Sequence, residues 1–262
     1  MPRVKLDISH HIARVTLARP DKMNAVDPAM AEALAETGQA LLDRNDVRAI
    51  VLTGEGRAFC AGLDVMGFAQ LAAGDPETLV MPRSHGNTNL FQEAAMVWRR
   101  CPVPVIAALH GAVYGAGFQL ALGADIRIAH PETELAVMEM KWGLIPDMGG
   151  MVLLPRLVRS DVIRQLVYTA TPVDAVQAEI WGLVTRLSDN PQAAALTLAG
   201  EIAGKSPSAI RAAKRLIGTA ESSADEDAIL LAESRAQAGL IGQPHQMEAI
   251  AANMAKRAPV FD

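Results

Sequence analysis

The sequence of 262 residues contains little cysteine, few aromatic residues and no block of basic residues. Its two cysteines, Cys60 and Cys101, are too few for a disulfide scaffold and are typical of a reducing compartment, so we expect a cytoplasmic protein. Aromatic residues make up 4% of the chain, which disfavours a platform for stacked nucleic-acid bases. The net charge of −5 disfavours nucleic-acid binding in general, so we expect no nucleic-acid partner.

The chain also lacks a segment with the character of a membrane span. One run without charged residues, Cys101 to Ala124, is long enough to cross a bilayer. It nevertheless contains Pro102, Pro104, His110 and Gln119 as well as several glycines. A buried strand, a glycine-rich turn and a buried helix explain this composition better, so we expect no membrane partner. The N-terminal residues predict an ordinary strand and do not resemble a signal peptide.

What the sequence does contain is an alternation of short strands and helices over its first two thirds. Residues 4–8 and 12–17 alternate apolar and polar side chains, which predicts a half-buried strand pair. Asp27 followed by Pro28 is a typical helix start. Buried, mostly apolar strands are predicted at residues 49–53, 103–109 and 125–129. Such alternation predicts an α/β fold in which helices cover the sheet.

After about residue 190 the sequence predicts no further strands. The remaining segments are rich in Ala, Leu and Glu and predict helices at residues 191–204, 206–218, 225–239 and 245–256. We therefore divide the chain into a core of residues 1–190 and a C-terminal helical region of residues 191–262. The apolar faces of these helices would pack either on another subunit or within the chain, and the sequence leaves both arrangements open.

Several common catalytic motifs are absent from the sequence. No Gly-x-Ser-x-Gly elbow occurs, which argues against an α/β-hydrolase. The segment Gly54–Phe59 lacks the third glycine of a dinucleotide-binding turn, and the segment ending at Ser206 lacks the first glycine of a phosphate-binding loop. The six histidines are scattered without the spacing of metal ligands, so we expect no metal site.

Two segments rich in small residues each follow a buried strand. They are Gly56–Asp64 and His110–Gln119, and their small side chains allow other atoms to approach the backbone. The second segment leads into an apolar helix predicted at residues 118–123. The N-terminus of a helix offers unpaired N–H groups, which suit a developing oxyanion. Tight packing of helix against strand is the alternative explanation.

Together with Arg19–Ala25 and Gly143–Gly150, these two segments resemble the crotonase (enoyl-CoA hydratase/isomerase) superfamily in order and spacing. The resemblance covers about residues 12–187. It implies an α/β fold built as a spiral of ββα units, followed by a C-terminal helical trimerisation region. It also implies acyl-CoA thioester substrates and assembly as a homotrimer or hexamer. No cofactor is implied apart from the coenzyme A that the substrate carries.

The resemblance further implies which residues form the site. The backbone N–H groups of Ala61 and Ala116 would hold the thioester oxygen. Two such donors stabilise the charge that builds on this oxygen by about 3–4 kcal/mol each. The residues implied to bind substrate, among them a turn near the CoA nucleotide that begins at Lys22, are Lys22, Ala25, Ala61, Gly62, Leu63, Asp64, Ala116 and Gln119.

The acidic residues distinguish the possible reactions. Hydratases of the family use two glutamates, and the first of these positions is occupied here by Gln119, whose amide cannot transfer a proton near neutral pH. Glu139 stands at the second position, and Asp147 follows eight residues later. This pair resembles the acidic pair of the family's dienoyl-CoA isomerases, which usually carry a further Asp at the position of Gln119. The resemblance suggests Asp147 as the base beside the thioester and Glu139 as the acid further along the acyl chain.

Three functions remain open at this point. The favoured one is a shift of a double bond through an oxyanion-stabilised enolate. The second is hydration of a 2-enoyl-CoA, with Glu139 assisted by Asp147 or by a water held at Gln119. The third is binding of acyl-CoA without catalysis, since the acid at position 119 is missing. Each acid also has a non-catalytic explanation: Glu139 would form an ion pair at the surface, and Asp147 would be a simple turn residue.

Overall fold

The computed structural model of the protein describes residues 2–64 and 74–261. The chain begins with the antiparallel strands β1 (Val4–Ser9) and β2 (Ile12–Leu17). Every second residue of β2 is buried, as the alternating pattern predicted. Strand β1 is more exposed than predicted because it forms the edge of the sheet.

The main sheet has six strands in the order β1-β2-β3-β4-β6-β9, and all neighbours from β2 onwards are parallel. The further strands of this sheet are β3 (Ala49–Gly54), β4 (Val105–Leu109), β6 (Ile126–Ala129) and β9 (Arg186–Leu187). The three predicted apolar strands are thus confirmed. Strand β4 begins two residues later than predicted, after Pro104, which has no N–H to donate to a neighbouring strand.

A second sheet of three short strands was not predicted. It consists of β5 (Ala112–Tyr114), β7 (Glu134–Ala136) and β8 (Val173–Asp174), in the order β5-β7-β8. Strands of two or three residues are too short to show an alternating pattern in the sequence. Strand β5 comes after β4 in the chain and lies within the second segment of small residues, His110–Gln119.

The helices of the described residues lie between and after these strands. Their bounds are α1 Pro28–Leu42, α2 Pro76–Val80, α3 Leu90–Arg100, α4 Ala116–Leu122, α5 Gly150–Leu153, α6 Ser160–Thr169, α7 Ala175–Trp181, α8 Pro191–Ala203, α9 Pro207–Ser222, α10 Glu226–Ala238 and α11 Pro244–Met254. Short 3-10 turns add Pro20–Lys22, Glu139–Trp142 and Leu154–Arg156. No helix in the described part of the chain is long and apolar enough to cross a membrane.

The predicted helix start at Asp27 is confirmed. The Asp27 carboxylate accepts a hydrogen bond from the Met30 N–H at 2.8 Å, and Pro28 occupies the first turn. The uncharged run beginning at Cys101 forms β4, β5 and α4, and every residue of α4 is buried. A buried strand, turn and helix therefore account for this run.

The four predicted C-terminal helices are all present. Helix α9 extends to Ser222 and passes through Gly218, which was predicted to end it; the surroundings of Gly218 are open and a helix tolerates one such glycine. Helix α8 packs on the main sheet through Ala195 and Ala199. The predicted boundary after residue 190 therefore does not separate two packing units, because the first C-terminal helix covers part of the core sheet.

A buried asparagine fixes the turn that precedes α1. Asn24 is fully buried, and its amide oxygen accepts a hydrogen bond from the Arg19 N–H at 2.9 Å. Its amide nitrogen donates to the carbonyl oxygens of Glu55 and Ala58, both at 2.9 Å, and of Phe59 at 3.2 Å. These bonds join the 3-10 turn before α1 to the start of the first segment of small residues. No pattern in the sequence indicated this role for Asn24.

Replacement of Asn24 by alanine should therefore destabilise the protein strongly. The variant leaves three buried carbonyl groups and one N–H group without their partner, and we expect the free energy of unfolding to fall by about 2–4 kcal/mol. Urea unfolding measures this difference. The matched control is Asn87→Ala, at an exposed position, with an expected change within about 0.5 kcal/mol. Equal effects of the two substitutions would contradict the assignment.

Candidate active site

The two segments of small residues lie against each other in the folded chain. The Cys60 N–H donates to the Ala112 carbonyl at 3.1 Å, and the Tyr114 N–H donates to the Cys60 carbonyl at 3.0 Å. A Cβ atom added to Gly117 would stand 2.3 Å from the Cys60 oxygen, and one added to Gly62 would stand 3.1 Å from the Tyr114 oxygen. The glycines thus permit a backbone contact that a side chain would block.

The N–H group of Ala61 is not available as an oxyanion donor, which corrects the sequence-based assignment. It donates to the Met23 carbonyl at 2.9 Å. The Val26 N–H donates to the Gly62 carbonyl at 2.8 Å, and the Asp64 N–H donates to the Val26 carbonyl at 2.9 Å. These bonds turn the intervening Leu63 N–H to the opposite side, where it has no hydrogen-bond acceptor among the described residues. The Leu63 N–H is therefore a free donor in this segment.

The backbone N–H of Ala116 is free to donate a hydrogen bond, as predicted. It is the first residue of α4, and the preceding Gly115 carbonyl accepts the Gln119 N–H at 3.0 Å. The Ala116 N–H has no acceptor among the described residues, as is usual for the first turn of a helix. Its position at the edge of the site leaves this N–H available to a ligand.

A cavity of about 210 Å³ brings these groups together. Three short stretches line it: residues 61–63, residues 114–116 and the 3-10 turn with its neighbours. From the last stretch the lining residues are Met138, Glu139, Lys141, Trp142 and Leu144. A larger groove of about 660 Å³ lies elsewhere, lined by residues of β1 and β2, the end of β3 and residues 189–192, and the N–H groups of Leu63 and Ala116 do not line it. We therefore take the smaller cavity as the candidate active site.

A buried carboxyl group with one free oxygen faces this cavity. Glu139 is 8% exposed and begins the 3-10 turn. Its Oε1 atom accepts a hydrogen bond from Gln119 Nε2 at 2.6 Å, whereas Oε2 has no partner among the described residues. Burial raises the pKa of Glu139 above its ordinary value, and the nearby charge of Asp147 adds to the effect. No ion pair of Glu139 occurs within the described chain, which argues against a surface salt bridge.

Asp147, the second predicted acid, lies in the turn before α5. Its side chain keeps an exposed surface, but protein surrounds it on most sides, and this desolvation raises the pKa of Asp147. The charge of Asp147 raises the pKa of Glu139, but Asp147 is not among the residues that line the cavity, and its pairing with Glu139 in catalysis stays a prediction. The neighbouring N–H groups of Met148 and Gly150 donate to Gln119 Oε1 at 2.8 and 3.0 Å.

Four residues predicted to bind substrate do not line the cavity. Gln119 lies behind Glu139 with its amide engaged by protein groups. Asp64 forms an ion pair with Arg19 at 2.8 Å, and the same guanidinium donates to the Ala25 carbonyl at 3.0 Å. Lys22 is exposed on the 3-10 turn. A contact of Lys22 and Ala25 with the CoA nucleotide stays a prediction, whereas Asp64 is committed to Arg19.

Several cavity residues were missed by the sequence-based reasoning. Tyr114, Lys141, Trp142 and Leu144 line the cavity, and Trp142 is 54% exposed. The Lys141 ammonium lies 5.9 Å from the centroid of the Trp142 ring, so a cation and an aromatic face stand together at this wall. For Lys141, Trp142 and Leu144 the available signal was closeness to Glu139 in the sequence, but no periodicity marks a 3-10 turn of four residues. Tyr114 lies within the second segment of small residues.

The fold and this site define an α/β enzyme in which two free backbone N–H groups stand beside a buried carboxyl group. The family model described as enoyl-CoA hydratase/isomerase matches residues 7–262, and the chain belongs to this family. A crystal structure of an enoyl-CoA hydratase from Polaromonas sp. JS666 superposes with a TM-score of 0.90 at 28% identity, covering 99% of each chain. The predicted crotonase-type fold is thereby confirmed.

The names of curated relatives describe two different reactions. The mitochondrial Delta(3,5)-Delta(2,4)-dienoyl-CoA isomerase of Mus musculus is 33% identical over 224 residues, which are 82% of this chain and 68% of that protein. A protein of Mycobacterium tuberculosis (strain CDC 1551 / Oshkosh) named probable enoyl-CoA hydratase echA14 is 37% identical over 196 residues, 75% of this chain and 73% of that protein. The choice between the two reactions therefore depends on the residues of the site.

The raised pKa of Glu139 makes a prediction about stability and pH. The ionised carboxylate is less favourable in the folded chain than in the unfolded chain, so the stability present at acid pH is lost as the pH rises from 4.5 through the folded-state pKa. Each unit of elevation corresponds to about 1.4 kcal/mol. Glu139→Gln has no carboxyl group to ionise at this position and does not lose this stability. The free energy of unfolding of the variant, relative to that of the wild type, should therefore be higher at pH 8 than at pH 4.5.

Chemical unfolding at both pH values measures this gain. The surface substitution Glu36→Gln reports the general effect of removing one negative charge and serves as the control. A difference between the Glu139→Gln variant and the wild type that stays constant across the pH range would contradict a buried carboxyl with a raised pKa.

Proposed function

We propose that this enzyme shifts a double bond in an enoyl- or dienoyl-CoA thioester through an enolate. One observation carries the proposal: Glu139, a buried carboxyl whose Oε2 has no hydrogen-bond partner among the described residues, lines the same cavity as Leu63 and Ala116. The reaction needs a stabilised oxyanion and groups that move protons, and this cavity combines two free backbone N–H groups with the Glu139 carboxyl group.

The backbone N–H groups of Leu63 and Ala116 act on the thioester oxygen. A thioester acidifies the adjacent carbon, and removal of a proton there moves negative charge onto the oxygen. Donors already fixed in position stabilise this charge without reorganisation, by about 3–4 kcal/mol per donor. The backbone contact between the two segments holds both donors in place.

The two carboxyl groups divide the proton transfers between them. Glu139 is the more buried, and its raised pKa favours the protonated form, which suits a general acid. Asp147 is more open to solvent and suits the general base. The base takes a proton from the carbon beside the thioester, the electron pair moves through the conjugated system, and the acid returns a proton further along the acyl chain.

Hydration of a 2-enoyl-CoA is the second candidate, supported by the similarity to echA14. The site favours it less, because Gln119 replaces an acid and its amide oxygen already accepts two backbone N–H groups. Binding of acyl-CoA without catalysis is the third candidate, but a buried carboxyl with a free oxygen at the cavity favours catalysis over it.

The proposal includes an acyl-CoA substrate, no separate cofactor and a homotrimeric or hexameric assembly. Support for assembly comes from exposed apolar side chains on and beside α10 and α11, namely Leu230, Leu231, Ile241, Met247, Ile250 and Met254. Such side chains are typical of surfaces that are covered by another subunit. The cytoplasmic location stays a prediction.

The experiment that tests the function offers the enzyme a 3,5-dienoyl-CoA and a 2-enoyl-CoA in heavy water. We expect conversion of the former to a 2,4-dienoyl-CoA, with deuterium incorporated from the solvent, and slow hydration of the latter. Rapid hydration without isomerisation would instead support a hydratase. Binding of both compounds without turnover or deuterium exchange would support a non-catalytic protein.

Glu139→Gln and Asp147→Asn should each lower kcat for isomerisation by about 10²–10⁴-fold, because each removes one proton-transfer group. The affinity for acyl-CoA should remain within about threefold, since the two backbone donors are untouched. Steady-state kinetics and calorimetric binding measure the two quantities, with Glu36→Gln as the surface control. Full activity of either variant would remove that residue from the mechanism.

A further inference from the structure

Gln119 connects three elements of the site through one side-chain amide. It lies on α4 and is 1% exposed. Its oxygen accepts the N–H groups of Met148 at 2.8 Å and Gly150 at 3.0 Å, and its nitrogen donates to Glu139 Oε1 at 2.6 Å. The 3-10 turn that carries Glu139 and the turn that carries Asp147 are therefore tied to the same group on α4.

The backbone around residue 150 is shaped to accept this amide. Gly149 has a φ of +95°, a conformation that residues with a side chain rarely adopt. A Cβ atom added to Gly150 would stand 2.8 Å from Gln119 Oε1. The two adjacent glycines thus allow the turn after Asp147 to approach Gln119 closely enough for two hydrogen bonds.

Only an amide satisfies all of these partners at once. Two N–H groups require an acceptor, and the Glu139 carboxyl oxygen requires a donor, which an amide provides from its two ends. A methionine would provide none of the three hydrogen bonds that the Gln119 amide makes to Glu139, Met148 and Gly150. A glutamate would keep the acceptor but would place a second carboxyl group against Glu139 Oε1, so that the two groups would share a proton.

Resting on the function proposed above, we propose that Gln119 is the positioning residue that orients Glu139 and the Asp147 turn together. It holds Glu139 by Oε1 and leaves Oε2 as the oxygen that transfers the proton. It does not contact substrate, because it lies behind Glu139 and does not line the cavity. The relative placement of the two carboxyl groups thus depends on one amide.

Two variants of Gln119 separate positioning from a merely structural role. Gln119→Glu should move the titration of Glu139 to higher pH by about one unit or more, because a second carboxyl group faces it. The other titratable groups near Glu139 are Asp147, Lys141 and Tyr114, and they are unchanged. Gln119→Met should lower kcat by about 10–100-fold with KM within about twofold, because the misplaced carboxyl groups act in the chemical step.

The titration of Glu139 is measured by infrared difference spectroscopy on the free enzyme, with Glu139→Gln identifying its carboxyl band. The basic limb of the pH profile of kcat/KM should move with it. Since the infrared measurement needs no substrate, it reports on positioning even if the wild-type enzyme hydrates instead of isomerising. Failure of the proposed reaction and failure of the positioning role are thereby distinguished.

Two further variants serve as a substitute for Gln119→Met and as a control outside the site. Gly150→Ala displaces the same amide from the opposite side without changing a titratable group, so it should reproduce the loss in kcat if Gln119→Met fails to fold. Gln39→Met removes a comparable hydrogen bond outside the site, in which the side-chain amide of Gln39 donates from Nε2 to the buried Glu93 Oε1 at 2.5 Å. It should leave both the kinetics and the Glu139 titration unchanged.

A Gln119→Glu variant with the wild-type titration of Glu139, or a Gln119→Met variant with wild-type kcat, would overturn the proposal. A loss of kcat in Gln39→Met as large as that in Gln119→Met would also overturn it, since the effect would then reflect general loosening of the fold.

Discussion

The contact between two backbone segments is the constraint on which the site depends. Cys60 and Gly117 lie so close that any side chain at position 117 would collide with the Cys60 carbonyl. This contact places the free N–H groups of Leu63 and Ala116 at one cavity. Donors that are fixed by the fold need no reorganisation when charge develops, which is the physical basis of oxyanion stabilisation.

The second requirement is a carboxyl group whose two oxygens differ. One oxygen of Glu139 accepts a hydrogen bond from Gln119, and the other is buried without a partner among the described residues. A buried polar atom without a hydrogen bond is costly, so its retention points to a task in the reaction. Burial raises the pKa of both Glu139 and Asp147, and the proposed division of their roles rests on the greater exposure of the Asp147 side chain.

The sequence was sufficient for the parts of the fold that have periodic patterns or strong start signals. The apolar strands, the helix start at Asp27 and the C-terminal helices were all predicted. The strands of the second sheet were not, because they have only two or three residues. Among site residues, Ala116 and Glu139 lie at the cavity as expected. The prediction of Ala61 as a donor was wrong. The direction of its N–H group depends on backbone hydrogen bonds of this segment to Met23 and Val26, which lie almost forty residues earlier. The local sequence around Ala61 contains no sign of these hydrogen bonds.

A crystal structure with an unreactive acyl-CoA analogue, in which a ketone replaces the thioester, tests the central claim most directly. The account predicts that the ketone oxygen lies about 2.7–3.1 Å from both the Leu63 and the Ala116 backbone nitrogens, with Glu139 Oε2 facing the acyl chain. An oxygen bound instead by the Ala61 nitrogen, or remote from both Leu63 and Ala116, would contradict it.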